Sequence, residues 1–127
     1  MFKVVASFAV ALLLIASMSE SAASENEGGI YAEHCRIAVN YSGQGAPNPI
    51  EAMYTGFCLG LMDGLRGANF YLKESGSEMA FCEPPGSLND DLARVFVSAV
   101  DNNPHLKNLR GSLAALVSLR AAYPCGQ

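Results

Sequence analysis

The chain of 127 residues lacks tryptophan and has only two histidines, His34 and His105. Without tryptophan or an aromatic cluster, the sequence offers no stacking platform for sugars. His34 stands beside Cys35, but consecutive residues of a helix point about 100° apart, so this adjacency does not make a catalytic dyad. Two histidines also argue against a histidine-based pH switch.

Basic residues are few as well: 8 Lys and Arg stand against 12 Asp and Glu, for a net charge of −4. A nucleic-acid-binding protein needs a clustered basic face, and an anionic lipid surface attracts a polybasic stretch. The sequence has neither, so we predict no nucleic-acid partner. A mildly acidic surface suits a basic protein partner.

Familiar arrangements of catalytic residues are also missing. No serine lies in a Gly-x-Ser-x-Gly turn, and the glycines from Gly56 to Gly67 lie inside a predicted helix, where they cannot cradle a phosphate. The acids Asp63, Asp90, Asp91 and Asp101 are placed on solvated helix faces. We therefore predict a protein that is not an enzyme, needs no cofactor and acts by binding another protein.

One long uncharged apolar run is present, Val4 to Ala16, preceded by Lys3 and followed by the small residues Ser21-Ala22-Ala23. The run is shorter than the ~20 residues of a membrane span, and this layout is typical of a cleaved secretory signal. We therefore predict that residues 1–23 are a signal peptide and that residues 24–127 form a single exported domain. No other apolar run approaches membrane length, so no membrane association is expected after cleavage.

Four cysteines follow the predicted signal: Cys35, Cys58, Cys82 and Cys125. An even number in a small exported chain predicts two disulfides, each worth roughly 3–4 kcal/mol through loop closure. No pair forms a Cys-x-x-Cys knuckle, so no metal site is predicted, and paired cysteines leave no thiolate for catalysis. The spacing does not choose among the three compatible pairings.

Apolar residues recur at helical spacing in four segments, and none alternates as a strand. The segments run over about 30–41, 50–73, 87–102 and 104–123. We predict an all-α single domain of about four main helices. The third helix should begin at Ser87 with Asp90 three residues on, as in a capping box. The apolar face of the longest helix is predicted to carry Ile50, Met53, Tyr54, Phe57, Leu61, Leu65, Ala68 and Leu72.

Three glycines, Gly56, Gly60 and Gly64, line the flank of that face. Each interior glycine costs a helix about 1 kcal/mol, so we predict that another backbone approaches the stripe closely. Three apolar residues project from the opposite side: Leu59, Met62 and Phe70. Either another helix covers them or they form a homodimer or partner surface.

The order of these features carries a resemblance. A Gly56-Phe57-Cys58-x-Gly60-x-x-x-Gly64 helix precedes Phe81-Cys82-x-Pro84-Pro85, a helix started by serine, Asn103-Pro104, a further apolar helix and Tyr123-Pro124-Cys125. In this order and spacing, nearly all of residues 30–125 resembles the Rap/Tai family of type VI secretion immunity proteins.

The resemblance implies a small periplasmic helical fold, often a homodimer, that binds and inhibits a cognate peptidoglycan amidase toxin. It also implies the pairs Cys35–Cys58 and Cys82–Cys125. Gly111 departs from the family pattern, since it falls in the middle of the predicted last helix and suggests close packing or a kink. The alternative function is a periplasmic chaperone or acid-stress protein, which would need apolar surface exposed at low pH.

Two polar loops, residues 42–49 and 74–78, are the candidate inhibitory elements, because neither has the apolar content of a core segment. The second is expected to be flexible and to depend on anchors beside it. The predicted partner-binding residues are Phe70, Tyr71, Glu74, Ser75, Gly76, Ser77, Glu78 and Met79. The alternative is that both loops are ordinary solvated connections.

Overall fold

A computed structural model describes residues 25–41 and 48–126. These contain four α-helices and a short 3₁₀ helix between the last two: α1 (Glu27–Asn40), α2 (Pro49–Glu74), α3 (Asn89–Asn102), the 3₁₀ helix (Pro104–Asn108) and α4 (Gly111–Ala122). The described part of the chain has no strand, so the predicted all-α fold of four main helices is confirmed. The predicted signal peptide, residues 1–23, lies outside the described residues. Over the described ranges, no helix combines the length and apolar character needed to cross a bilayer.

Helix α1 is the centre of the domain, because α2, α3, α4 and the 3₁₀ helix all pack against it. Its buried face is made of small side chains, which let the surrounding helices come close: Gly28, Ala32, Cys35 and Ala38. The bulky residues of the core come from the elements around it: Phe81, Phe96, Met62, Leu92, Leu119 and Val100. The core is therefore built around a thin central helix.

Both disulfides form in the pairs that the resemblance implies. Cys35–Cys58 joins α1 to α2, and both residues are fully buried. Cys82–Cys125 joins the segment after α2 to the segment after α4, and both residues are exposed. One bridge therefore lies inside the core and the other on the surface.

The buried face of α2 differs from the predicted one. Its buried residues are Cys58, Met62 and Asn69, whereas Ile50 and Met53 are 61% and 59% exposed. The reason is the bridge to Cys35, which turns Cys58 toward α1. Met62 and Asn69 follow four and eleven residues later and so lie on the same face. The buried face is therefore rotated about the helix axis relative to the predicted one. Cys58 lies at the centre of the buried face, whereas the prediction placed it at the margin.

The glycine stripe of α2 also differs from the prediction. A Cβ atom at Gly56, Gly60 or Gly64 would have no neighbour within 4 Å, so no other backbone of the described chain approaches the stripe. Close approaches between helices occur instead at Gly28, where a Cβ would overlap the Leu106 carbonyl oxygen, and at Gly111, where it would overlap the Tyr31 ring. Gly111 is the first residue of α4, so it marks close packing and not a kink.

The predicted capping box of α3, Ser87 with Asp90, is displaced by one residue along the chain. The helix begins at Asn89, and the Asp91 carboxylate accepts a hydrogen bond from the Leu88 N–H at 2.8 Å. Ser87 instead donates its hydroxyl to the Pro84 carbonyl at 2.7 Å. Asp91, and not Asp90, therefore supplies the carboxylate at this helix terminus.

The fourth predicted helix is divided in two. The 3₁₀ helix ends at Asn108, Leu109 is extended, and α4 begins at Gly111. The break leaves the Leu109 carbonyl free to accept a hydrogen bond from the Gly28 N–H at 2.9 Å. An N–H in the first turn of a helix has no partner within that helix, so the break supplies one for α1.

An exposed ion pair ties α1 to the end of α3. The Arg36 guanidinium donates two hydrogen bonds to the Asp101 carboxylate, at 3.0 and 2.6 Å, and a third to Glu33 at 3.1 Å. The bonds to Arg36 hold the pKa of Asp101 below its ordinary value, against a smaller opposing effect of desolvation and with help from the charges of Arg36 and Lys107.

We expect Asp101→Asn to flatten the acid side of the stability curve. A carboxyl whose pKa is lower in the folded chain stabilises the fold above its unfolded pKa, about 3.8 here, and that contribution is lost as the pH falls through the folded pKa. Wild type should therefore lose stability more steeply than the variant between pH 5 and pH 2, as measured by urea unfolding. Asp90→Asn controls for the loss of one negative charge, since Asp90 pairs with Arg94 within α3. Parallel curves for wild type and Asp101→Asn would contradict the assignment.

Candidate partner-binding surface

The side of α2 that points away from the core is apolar and uncovered. We call it the outer face of α2; it consists of Ile50, Met53, Gly56, Phe57, Gly60, Gly64, Gly67 and Tyr71. Large side chains stand at both ends, and four glycines with open space around them lie between. Asp63 and Glu74 are the charged residues at its edge. Sequence reasoning placed Ile50, Met53 and Phe57 in the core and so missed this surface.

The N-terminal part of the outer face is held by aromatic packing. The Phe57 ring stands edge-on to Tyr31 and His34, with centroids 4.7 and 5.1 Å apart, and His34 stacks on Tyr54 at 4.1 Å. The buried Nδ1 of His34 makes no hydrogen bond. His34 therefore supports Phe57 through ring contacts, and within the described ranges no acid or base forms a hydrogen bond with its Nδ1.

The C-terminal end of α2 exposes two aromatic side chains. Phe70 is 62% and Tyr71 is 74% exposed, and their rings meet edge-on with centroids 5.5 Å apart. Exposed aromatic residues of this size are the usual anchors of a protein interface. The sequence left open whether another helix covers Leu59, Met62 and Phe70 or whether they form a partner surface. Met62 is buried in the core, whereas Phe70 and Leu59 are exposed.

The turn after α2 is ordered by hydrogen bonds, contrary to the expectation of a flexible loop. Ser77 N–H donates to the Leu72 carbonyl at 2.9 Å, and Gly76 N–H donates to the Lys73 carbonyl at 3.0 Å. With Gly76 at φ 66°, this is the Schellman motif that ends many helices. The Ser77 hydroxyl then accepts from Met79 N–H at 3.1 Å. The turn is a fixed continuation of α2.

The predicted partner-binding residues lie along this helix end and turn. Ser77 and Met79 are partly buried, and six are exposed: Phe70, Tyr71, Glu74, Ser75, Gly76 and Glu78. Ser77 and Glu78 also line a surface groove of about 600 Å³ whose far wall includes Arg120 and Cys125. We call Phe70, Tyr71 and the turn of residues 74–79 the tip of α2.

The other candidate loop is described only at its end. Residues 42–47 lie outside the described residues. Asn48 accepts hydrogen bonds from Ile50 N–H and Glu51 N–H at 3.0 and 2.9 Å, and Glu51 accepts from Asn48 N–H at 3.2 Å. This is a capping box, with Pro49 in the first helical position, so the end of the loop serves to start α2.

The described residues include no group of three or more His, Cys, Asp or Glu side chains that would hold a metal ion. All four cysteines are in bridges, and none is available as a thiolate nucleophile. What this geometry offers is contact surface: a rigid aromatic tip and an apolar outer face.

Comparison with known proteins agrees with a binding role. Neither the curated proteins nor the solved structures gave a significant match. The family model of the Rap1a immunity proteins matches residues 27–125, which spans α1 to the second bridge. Because this match covers most of the chain, the protein belongs to the Rap1a immunity protein family.

Proposed function

We propose that the chain is a periplasmic immunity protein that binds and inhibits a peptidoglycan amidase toxin delivered by type VI secretion. The observation that carries the proposal is family membership over residues 27–125, since immunity proteins act by binding a cognate toxin. Residues 1–23 direct export and are removed, leaving 24–127 as the working domain. The two disulfides support this location, because such bridges persist in oxidising compartments.

The tip of α2 is the element that we propose enters the toxin. Phe70 and Tyr71 have few rotatable bonds and support each other at 5.5 Å, so they lose little entropy when bound. The turn behind them is already fixed by the Schellman hydrogen bonds. A pre-organised aromatic projection suits the occlusion of an active-site groove better than a flexible loop would.

The outer face of α2 is the surface that we propose for a homodimer. In an antiparallel pair centred between Gly60 and Gly64, Phe57 of one copy lies opposite Gly67 of the second, and Met53 lies opposite Tyr71. Phe57 thus meets a glycine whose surroundings are open in the single chain, and Met53 meets an exposed aromatic ring. The face itself carries no charged residue, and in this register the edge residue Glu74 of one copy lies opposite Ile50 of the second, at each end of the contact. Phe70 lies about 100° around the helix from Tyr71 and stays outside the contact, so Phe70 remains free for the toxin in the dimer, whereas Tyr71 is available to the toxin only in the monomer.

Inhibition is tested by titrating the mature chain into a peptidoglycan amidase encoded beside its gene and following wall hydrolysis and binding together. We expect hydrolysis to fall to zero at a fixed molar ratio, with no turnover of the inhibitor. Heat-inactivated amidase serves as the negative control for binding. If no neighbouring amidase binds and deletion of the gene leaves cells as resistant to their kin as before, the immunity proposal is wrong.

Self-association has its own prediction. Met53→Glu should shift the chain toward monomer by placing two carboxylates in an apolar contact, with a melting temperature unchanged at low concentration because Met53 is 59% exposed. Sedimentation velocity over a concentration series measures the shift. Leu88→Glu, at a residue 66% exposed and outside the outer face, is the matched control. Equal sedimentation of wild type and Met53→Glu would contradict the dimer.

A further inference from the structure

We propose that the Cys82–Cys125 bridge is a thiol-exchange site, which a dithiol reductant opens while Cys35–Cys58 stays closed and the chain stays folded. The inference does not depend on the toxin or on the dimer. It rests on the different surroundings of the two bridges.

Access separates the two bridges. Cys35 and Cys58 are 0% exposed, between α1 and α2, so a thiolate reaches them only after those helices part. Cys82 and Cys125 are both exposed. Exchange requires the attacking sulfur to contact a bridge sulfur, so its rate depends on this access.

The surface beside Cys125 also has room for a reductant. Cys125 lines the groove of about 600 Å³ together with Val117, Ala121 and Arg120. One residue of each charge, Glu78 and Arg120, lines the groove, so its lining has no net negative charge to repel an attacking thiolate. The groove therefore leads a reductant to Cys125, whereas Cys82 does not line it.

Hydrogen bonds and an ion pair hold the segment around Cys82 independently of the disulfide. Asn69 is 3% exposed and holds Phe81 by two hydrogen bonds: its amide donates to the Phe81 carbonyl at 2.8 Å and accepts from the Phe81 N–H at 2.9 Å. Cys82 N–H donates to the Tyr123 carbonyl at 2.7 Å. Arg66 binds Glu83 at 3.1 Å. These contacts keep the segment in place when the sulfur–sulfur bond opens, so only the tail beyond Tyr123 is released.

The chemistry is a two-step exchange. A thiolate of the dithiol attacks the Cys125 sulfur, a mixed disulfide forms, and the Cys82–Cys125 bond breaks with its electron pair leaving on Cys82, which takes a proton from water. The second thiol of the reductant then attacks the mixed disulfide, giving a Cys125 thiol and the oxidised, cyclic reductant. Two electrons and two protons pass from the dithiol to the chain.

The experiment treats the oxidised chain with limiting dithiothreitol, quenches at intervals with N-ethylmaleimide and maps the labelled cysteines by mass spectrometry. Far-UV circular dichroism follows the helices in parallel. We expect Cys82 and Cys125 to be labelled at least about tenfold faster than Cys35 and Cys58, with helix content unchanged during the fast phase. The Cys82→Ala/Cys125→Ala variant should lack that phase.

Three results would overturn the proposal: labelling of all four cysteines at one rate, earlier labelling of Cys35 and Cys58, or loss of helix content in step with labelling of Cys82. The wild-type time course alone decides among these, so the proposal stays testable even if the double variant folds poorly.

Discussion

Replacing Gly28 by alanine should destabilise the chain by about 3 kcal/mol or more, at the upper end of what overpacking costs. A Cβ at this position would overlap the Leu106 carbonyl oxygen and press on Ala114 at 3.1 Å. The oxygen belongs to the backbone of the 3₁₀ helix, so no side-chain rotation relieves the overlap. Moving α1 away would also break the Gly28–Leu109 hydrogen bond of 2.9 Å. Urea unfolding measures the loss as a lower midpoint at an unchanged slope.

The same substitution at Gly60 is the matched control and should have the opposite sign. No atom lies within 4 Å of a Cβ there, and the residue is in the interior of α2. Alanine should therefore stabilise the chain by about 1 kcal/mol through helix propensity. Measured at low concentration, where any dimer is dissociated, a destabilised Gly60→Ala or a neutral Gly28→Ala would show that the helix contacts are assigned wrongly.

These two glycines show what the sequence could and could not predict. The number of helices followed from apolar spacing, because helical period and loop residues are local properties. Which glycine touches another backbone is a property of the packed chain. Gly60 looked like a contact because it recurs at four-residue spacing, whereas Gly28 stands alone near a helix start. The four-residue spacing of the glycines thus indicated that they share one face of α2, but it did not indicate which element, if any, packs against that face.

The buried face of α2 could have been predicted from the Cys35–Cys58 pair. Helix α2 carries apolar residues on most of its circumference, so spacing alone does not select the face that meets the core. The Cys35–Cys58 pair does select it, since a buried bridge fixes the rotation of α2 about its axis. Starting from Cys58, the positions four and eleven residues on are Met62 and Asn69, the residues that the structure buries.

The prediction that the turn after α2 is flexible was wrong, although its composition suggests a flexible linker. Ser75-Gly76-Ser77 reads as a flexible linker by composition, yet a glycine just past a helix is also the common Schellman terminator. The φ of 66° at Gly76 and the hydrogen bonds around it show that this glycine is a Schellman terminator. The difference matters for binding, because a fixed turn holds Phe70 and Tyr71 in place before a partner arrives.

Phe70→Ala should weaken the complex with the proposed amidase by roughly 30-fold, the ~2 kcal/mol typical of an aromatic hot spot. The side chain is 62% exposed, so its removal takes little from the core and the melting temperature should stay the same. Tyr71 would lose its edge-on neighbour at 5.5 Å, which adds to the loss by freeing an anchor.

Calorimetry or surface plasmon resonance measures the change in Kd. Leu88→Ala is the matched control, because Leu88 is similarly exposed at 66% but precedes α3, away from the tip. It should bind like wild type. If wild type binds the amidase tightly and Phe70→Ala binds equally well, the tip of α2 is not the inhibitory element although the immunity function stands. If Leu88→Ala weakens binding as much as Phe70→Ala does, the interface extends from the end of α2 to the start of α3. The proposal that Phe70 is the main anchor would then be wrong.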